Sequence, residues 1–317
     1  MKRLLQKSRF SGIQAVTAIF ASFVLGFCSS APPGSPPPEE QERIVQARTI
    51  AVQEKAITDD ALAAAMVSEE DRLLMEAEFK KLVKSERRRD YPSDEAFANF
   101  REVKLGSMAS GILYRSCHPA LGDDRSPYAA RLAEQARVGS IIDLADSPGE
   151  MALNASVIPW YQSFITQGNS IAVVMDSDYD SQYNRARIQE VLRFMLNHKK
   201  PFLLHCVDGT GGNAFIVMVL AALMNADREE IIGDYMQSYV NYYGFDKTED
   251  RYRLISYSGE DMIALICGEA SKGAPLPGDT GPAPGLRERA ESYLQEKIQM
   301  RPGEIDSLRR LLAGQQP

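Results

Sequence analysis

The chain has 317 residues, of which 44% are hydrophobic and 25% charged, an ordinary composition for a soluble globular core of one or two domains. Its formal net charge of -7 argues against a general nucleic-acid binder, which needs a basic face. The four cysteines form no CxxC pair and there are only three histidines, so the sequence indicates no disulfide framework, metal site or other cofactor.

Residues 1–28 have the pattern of an export signal. Basic residues in the first nine positions precede an uncharged run from Phe10 to Phe27, and Cys28 follows directly. The segment Leu25-Gly26-Phe27-Cys28 resembles a bacterial lipoprotein cleavage box, although Phe27 stands where a small residue is expected. A lipid anchor on Cys28, an uncleaved helical anchor and plain secretion are the alternatives. All three place the protein outside the cytoplasm, and the first two hold it at the cell membrane or envelope.

Two segments are predicted to lie between this signal and the folded domain. Residues 29–57 form a proline-rich tether, since five prolines between positions 32 and 38 exclude a helix and favour an extended spacer. Residues 58–96 form a charged helical neck, with helical character as far as Arg89. Ser68 and Asp71, three residues apart, are a capping pair for one of its helices.

Short apolar strands then alternate with helices over residues 97–315. The predicted strands are Ile112–Arg115, Ser140–Leu144, Ile171–Met175 and Pro201–His205. The predicted helices start at Ser126, cover Arg187–His198 and Ala214–Met224, start again after the capping pair Asp227 and Glu230, and end the domain at Arg287–Ile298 and Glu304–Leu312. This alternation predicts an α/β domain with a mostly parallel central sheet flanked by helices. Residues 273–285, rich in proline and glycine, are predicted to be a loop.

Cys206 lies where a buried strand ends and a wholly apolar helix begins, the end of the sheet at which such folds bind ligands. A helix N-terminus offers free N–H groups and a partial positive charge, which bind phosphate-sized anions and lower the pKa of a thiol. Glycines at 209, 211 and 212 allow the backbone to fold around an anion. The alternative is that Cys206 is simply a small buried hydrophobic residue.

The chain resembles the bacterial tyrosine-protein phosphatase family, part of the cysteine-dependent phosphatase superfamily with its His-Cys-x5-Arg loop. Besides the residues around Cys206, the resemblance rests on several motifs in the same order along the chain: Phe97–Val103, Gly111–Ser116, Ile141–Asp146, Asp234–Tyr243, Ala290–Leu294 and Gly303–Ile305. It implies a protein-tyrosine-phosphatase-like fold over residues 97–315 and chemistry on phosphate monoesters.

The resemblance also implies roles for individual residues. Cys206 is the nucleophile, His205 tunes it and Gly209 permits the turn. The general acid comes from Asp176, Asp178 or Asp180, of which Asp178 is preferred, while a solvated turn is the alternative for all three. The phosphate-binding residues are Val207, Asp208, Gly209, Thr210, Gly211, Gly212 and Asn213.

The loop departs from the family pattern at the positions that bind phosphate. Thr210, Gly211 and Gly212 stand where the family has lysine, aspartate and arginine. Loss of a bidentate arginine is expected to cost about 3–5 kcal/mol of transition-state stabilisation, or about two to four orders of magnitude in rate. Asp208 remains without a loop cation and is expected to repel a dianionic substrate and to weaken the thiolate. Arginines that could substitute are Arg115, Arg185 and Arg187, each more simply a surface or structural residue.

Three hypotheses for function follow. The first is a pseudophosphatase that binds a phosphorylated protein or a phospholipid headgroup without turnover. The second is a slow but active cysteine-dependent phosphatase, and the third is an interaction protein of the cell envelope in which the loop is unimportant. Cys117 replaces a small residue of the family motif, and it is either a redox partner of Cys206 or, as we prefer, a buried free thiol.

Overall fold

A computed structural model describes residues 68–268 and 285–315. The predicted export segment at residues 1–28, the tether, the first part of the neck and residues 273–284 of the Pro/Gly stretch lie outside the described residues. None of the helices within the described ranges is both long enough and apolar enough to span a bilayer.

A five-stranded sheet forms the centre of the described chain. Its strands are β1 (Arg101–Glu102), β2 (Leu113–Ser116), β3 (Ser140–Asp143), β4 (Ser170–Ala172) and β5 (Phe202–His205). Their order across the sheet is β1-β2-β5-β3-β4, and all neighbours are parallel except the edge pair β1–β2. The predicted mostly parallel sheet is therefore confirmed. All four residues of β3 and of β5 are buried, as expected for strands covered by helices on both faces.

Helices surround this sheet. Within the described residues they are α1 (Glu69–Lys80), α2 (Asp94–Phe97), α3 (Ser126–Gln135), α4 (Pro148–Ala155), α5 (Pro159–Thr166), α6 (Gln182–Asn197), α7 (Gly212–Leu223), α8 (Arg228–Tyr243), α9 (Asp250–Cys267), α10 (Leu286–Glu296) and α11 (Pro302–Leu312). The capping pairs expected at Ser68 and at Asp227 are both present, the second as a reciprocal capping box with Glu230. Helix α7 is the central one, with every residue from 213 to 223 buried.

Several elements differ from the sequence prediction. Helices α4, α5 and α9 were not predicted, and α6 starts at Gln182, five residues before the expected Arg187, because Ser181 caps it. Strand β4 ends at Ala172 rather than Met175. The register of the sheet sets Ser116 and Asp143 level with His205, so the carboxyl ends of β2, β3 and β5 meet at one edge.

The predicted neck helix ends at Lys80 rather than at Arg89, because a buried arginine holds the chain beyond it. The guanidinium of Arg125 donates to the carbonyl oxygens of Ser85 (2.7 Å) and Phe97 and to the Tyr91 hydroxyl (2.6 Å). Its guanidinium carbon lies 4.2–4.8 Å from the ring centroids of Tyr91, Phe97 and Tyr242. The carbonyl of Ser85, which a longer helix would use internally, is therefore bound to α3 of the folded domain instead.

Candidate active site

The loop between β5 and α7, together with the first two residues of α7, lies at the carboxyl edge of the sheet. Residues 206–213 are here called the Cys206 loop. Its turn requires glycine at position 209, as expected. Gly209 has φ +82°, and a Cβ atom there would lie 2.9 Å from both Asn99 Nδ2 and the Ser116 carbonyl oxygen. Val207 is exposed and Asp208 is half-buried, so the loop reaches solvent.

Side chains beneath the Cys206 loop bind its backbone. Arg115, fully buried on β2, donates from Nη2 to the Gly209 carbonyl (2.7 Å) and from Nη1 to Asp234 (2.6 Å). Asn99 donates to the Asp208 carbonyl at 2.9 Å, and Asn213 donates to the Ser116 carbonyl at 3.1 Å. Of the arginines considered as substitutes in the loop, Arg115 is therefore a structural ligand of the backbone. The others, Arg185 and Arg187, pair with Asp180 and Glu190.

The thiol of Cys206 is 8% exposed, and its pKa is raised to about 12. Burial is the main cause and the charge of Asp208 the second. Backbone N–H groups of Gly209, Asn213 and Gly211 lower the thiol pKa, as expected near a helix N-terminus. Their effect is smaller than that of burial and Asp208. The helix N-terminus acts in the expected direction but does not lower the thiol pKa overall, because desolvation and, as expected, the Asp208 carboxylate outweigh it.

Asp208 turns its carboxylate back onto its own loop. Oδ1 accepts hydrogen bonds from the Thr210 N–H (2.9 Å) and from the Cys206 thiol, with Sγ 3.7 Å away. Tyr243 of α8 also hydrogen-bonds this carboxylate, and burial together with the charge of Asp208 raises the pKa of that tyrosine. Asp208 has no cation in its own loop, as expected, and neutral hydrogen-bond donors stabilise its carboxylate instead.

Tyr179 is a site residue that the sequence did not reveal. Its ring stacks on Phe215 of α7 with centroids 4.8 Å apart and planes inclined by 6°. A Cβ atom built on Gly211 would lie 3.5 Å from the Tyr179 hydroxyl oxygen, which places that hydroxyl beside the Cys206 loop. Burial and then the neighbouring Cys206 raise the pKa of Tyr179, so the hydroxyl stays a neutral donor. In the sequence, Tyr179 was connected with the site only because it lies between Asp178 and Asp180.

The loop after β4 carries the three predicted acid candidates. Asp178 is exposed, and its carbonyl accepts from Asn184 at 2.8 Å. Asp176 accepts from Asn184 at 2.7 Å, and Asp180 pairs with Arg185 at 2.7 Å. Within the described residues none of the three carboxylates hydrogen-bonds the Cys206 loop, and Tyr179 is the residue of this segment that approaches it. The assignment of Asp178 as general acid stays a prediction.

Gly212 leaves a small apolar space at the start of α7. A Cβ atom at this position would meet Leu144 Cδ1 at 3.4 Å and Met175 Cβ at 3.5 Å, which are ordinary van der Waals distances. The backbone φ of Gly212 is not positive, so a larger residue fits the conformation without strain. The position therefore accepts a side chain, although this chain has none there.

His205 lies beneath the loop and does not contact the thiol. Its Nε2 is 2.9 Å from the Tyr161 hydroxyl, which donates to Asp143 at 3.1 Å. Burial lowers the pKa of His205 well below its ordinary value, with His118 as a second cause, so the ring is neutral. Burial also raises the pKa of Asp143 to about 6. A neutral His205 adds no positive charge that would stabilise a thiolate at Cys206.

His118, Asp143 and His205 bring three atoms of the kind that bind metals within 4.8 Å of one another. The Ala120 N–H donates to His118 Nδ1 at 3.0 Å, so the ring proton lies on Nε2 and points to Asp146 at 3.1 Å. A metal on Nε2 would move that proton to Nδ1, directly against the Ala120 N–H. The cluster therefore fits a hydrogen-bond network beneath the loop better than a metal centre.

Cys117 is a buried free thiol, as preferred from the sequence, and Cys206 is also free. Burial raises the pKa of Cys117 far above its ordinary value. A protonated, fully buried thiol is a poor partner for disulfide exchange.

A cysteine on a backbone loop between a buried strand and a buried helix, in a mostly parallel sheet, is the arrangement that the resemblance to cysteine-dependent phosphatases implied. The comparison with protein families agrees. A model described as the tyrosine phosphatase family matches residues 94–258, more than half of the chain, and the chain belongs to this family. The match includes the Cys206 loop and ends within α9, so the resemblance noted for the two C-terminal helices stays a prediction.

Two solved structures are similar to part of the chain at low identity. One is the core catalytic domain of the PP-IP phosphatase SIW14 from S. cerevisiae in complex with citrate, at 20% identity and a TM-score of 0.31, covering 56% of this chain and 93% of that chain. Another is TpbA from P. aeruginosa, at 15% identity and a TM-score of 0.28, covering 57% of this chain and 88% of that chain. No curated protein matches the chain.

Proposed function

We propose that this protein is a pseudophosphatase, a module that binds phosphate monoesters at the Cys206 loop and has lost efficient turnover. The observation that carries the proposal is the state of the thiol, whose pKa of about 12 leaves it protonated and hydrogen-bonded to Asp208 at neutral pH. A protonated thiol is not the nucleophile of this chemistry, since the thiolate is the attacking form.

The position of Gly212 supports the same proposal. In the tyrosine phosphatase family an arginine stands there and grips the phosphoryl oxygens through two parallel hydrogen bonds. Gly212 has no side chain beyond a hydrogen atom, and its Cβ position lies beside Leu144 and Met175. The buried arginines nearest the loop, Arg101 and Arg115, both pair with Asp234. Without a guanidinium or a thiolate, the Cys206 loop keeps its backbone N–H groups for binding and lacks the groups for rapid phosphoryl transfer.

The ligand and location that we propose are those expected from the sequence. The ligand is a phosphorylated protein or a phospholipid headgroup, because both present a terminal phosphate that a shallow backbone loop can bind. The basic and apolar segment before Cys28 supports export and attachment to the cell membrane or envelope, facing outside the cytoplasm.

One observation favours the second candidate, a slow phosphatase. Backbone N–H groups of Gly209, Asn213 and Gly211 lower the thiol pKa from what burial and Asp208 alone would impose. These groups point at the sulfur, as they would to stabilise a thiolate. Neutralisation of the Asp208 carboxylate would therefore raise the thiolate fraction and allow some turnover.

The test compares hydrolysis by the parent protein, Cys206→Ser and Gly212→Arg, using a phosphotyrosine peptide and a phosphoinositide as substrates. We expect the parent to be inert or nearly so, and Gly212→Arg to exceed it by about two to four orders of magnitude. Cys267→Ser is the matched control, since Cys267 lies at the end of α9. Turnover by the parent at rates ordinary for enzymes, abolished in Cys206→Ser and kept in Cys267→Ser, would establish the active phosphatase instead.

A further inference from the structure

The charged groups at the Cys206 loop balance before any ligand binds. Below the loop, Arg101 and Arg115 share the carboxylate of Asp234, with nitrogen–oxygen distances of 2.7 and 2.6 Å. Within the loop, Asp208 contributes one further negative charge and Cys206 is a neutral thiol. Two guanidinium groups and two carboxylates therefore cancel, and no excess positive charge remains to receive a strongly charged ligand.

The two guanidinium groups are also engaged by partners beneath the loop. Arg115 is 1% exposed, and its remaining donor contact is with the Gly209 carbonyl on the inner side of the loop. Arg101 also donates hydrogen bonds from Nη1 to the Asn99 side chain and from Nη2 to the Asp234 carbonyl and the Ser238 hydroxyl. Both cations therefore support the backbone. Among the described residues Arg115 Nε has no hydrogen-bond partner, but it is buried with the rest of that side chain beneath the loop.

The other groups around the loop are neutral donors and the carboxylates of Asp208, Asp176 and Asp178. Backbone N–H groups of Gly209, Gly211 and Asn213 converge on the thiol, and the Tyr179 hydroxyl lies beside Gly211. From α8, Tyr243 reaches Asp208 and Tyr239 hydrogen-bonds Thr210, and both phenols are kept neutral by burial. From the loop after β4, the exposed Asp176 and Asp178 add negative charge. From β5, His205 is neutral.

From this arrangement we infer that the Cys206 loop selects singly charged ester oxyanions, namely a sulfate monoester or a phosphate monoester in its protonated, monoanionic form, over dianionic phosphate. The inference rests on the proposed function and specifies the ligand of the same loop. Neutral N–H and O–H donors bind one negative charge by hydrogen bonding. A second charge on the ligand would have no cation to balance it and would lie against Asp208 in a site of low dielectric.

The two sources of a singly charged ester differ in their response to pH. A phosphate monoester loses its second proton with a pKa of about 6, so it is mostly dianionic at pH 8 and mostly monoanionic at pH 5.5. A sulfate monoester has no second proton and carries one charge at both values. The two probes therefore separate a preference for charge from a preference for the central atom.

The experiment titrates the full chain with N-acetyl-tyrosine amide carrying either a sulfate or a phosphate, at pH 8 and at pH 5.5. Binding is followed through the amide signals of the Cys206 loop. At pH 8 we expect the sulfate probe to bind at least tenfold more tightly than the phosphate probe. The affinity of the sulfate probe should change little between pH 8 and pH 5.5. The phosphate probe is expected to gain at least tenfold in affinity at pH 5.5.

Asp208→Asn tests the cause, because asparagine keeps the acceptor for the Thr210 N–H and removes the charge. In this variant the phosphate probe is expected to bind more tightly at pH 8 and to depend less on pH. The matched control is Asp306→Asn, an exposed carboxylate on α11. Tighter binding of phosphate than of sulfate at pH 8, or an Asp208→Asn variant that behaves like the control, would overturn the inference and leave the proposed function standing. Failure of both probes at both pH values would remove the proposed function and this inference with it.

Discussion

Arg115 and Asp234 form a buried ion pair, with 2.6 Å between Nη1 and Oδ2, directly beneath the Cys206 loop. Burial alone would raise the pKa of Asp234, but Arg101 and Arg115 overcome it and lower the pKa to about 2. The pair links α8 to β2, and through Arg115 to the Gly209 carbonyl. The shape of the loop therefore depends on an ion pair whose partners are distant in sequence.

The first prediction concerns acid stability. Asp234→Asn removes the carboxylate partner of the buried Arg115 and the partly buried Arg101, and we expect it to lower the free energy of unfolding by about 3–5 kcal/mol at pH 7. Since the folded pKa of Asp234 is depressed, its stabilisation is present above the unfolded value near 4 and is lost as the pH falls toward 2. The difference in the free energy of unfolding between parent and variant should therefore decrease by about 2 kcal/mol as the pH falls from 4 to 2. Urea unfolding at each pH measures it.

The matched control for this prediction is Asp261→Asn, which breaks the pair of Arg72 and Asp261 between α1 and α9. Both side chains of that pair are more than a third exposed. An exposed pair contributes about 0–1 kcal/mol, so this variant should change stability little and without the same pH dependence. Equal losses in the two variants would contradict the structural role assigned to Asp234.

The second prediction concerns the turn of the loop. Gly209→Ala places a Cβ atom against Asn99 and the Ser116 carbonyl at a positive φ, and we expect it to lower the free energy of unfolding by about 1–3 kcal/mol or more. Gly303→Ala is the matched control, because Gly303 lies in helix α11 and no atom lies within 4 Å of its Cβ position. Its effect should stay within about 0.5 kcal/mol. Similar melting temperatures for the two variants would contradict the prediction.

The third prediction concerns the reactivity of Cys206. With a pKa of about 12, the thiolate fraction rises about tenfold per pH unit throughout the range from 7 to 9. Alkylation of Cys206 by iodoacetamide, followed by mass spectrometry of its peptide, should therefore accelerate steadily without a plateau. Asp208→Asn should react faster at every pH, since it removes the second cause of the raised pKa. A plateau below pH 7 would show an activated cysteine.

The sequence was most informative where the physical signal is local. The apolar run of β5, the apolar helix α7 and the capping box at Asp227 each depend on neighbours a few residues away, and each was predicted close to its observed place. Helices α4 and α5 have only eight residues each, too short for a clear apolar period, and both were missed.

The candidate site was predictable in its position but not in its electrostatics. The location of Cys206 follows from a strand that ends where a helix begins. The raised thiol pKa depends on burial and on how Asp208 is oriented, neither of which periodicity encodes. The partner of Arg115 lies 119 residues away on α8, and Tyr179 meets Phe215 across the domain. Contacts of this kind arise only when the chain is folded.

The fourth prediction concerns Tyr179 as a ligand-binding residue. Tyr179→Phe keeps the stacking on Phe215 and removes only the hydroxyl beside Gly211, so the melting temperature should not change. Affinity for the sulfate probe should fall about 10- to 100-fold, the value of one hydrogen bond to a charged group. Tyr183→Phe is the matched control, as Tyr183 is 48% exposed at the start of α6. Equal affinities in the two variants would remove the hydroxyl from the site.

The complete burial of α7 has a kinetic consequence. The Cys206 loop is continuous with a helix that has no exposed face, and its backbone is held by Arg115, Asn99 and Asn213. Opening the loop would require repacking the centre of the domain, so induced fit is not available on a fast timescale. An anion should therefore associate in a single step, with an observed rate that increases linearly with its concentration.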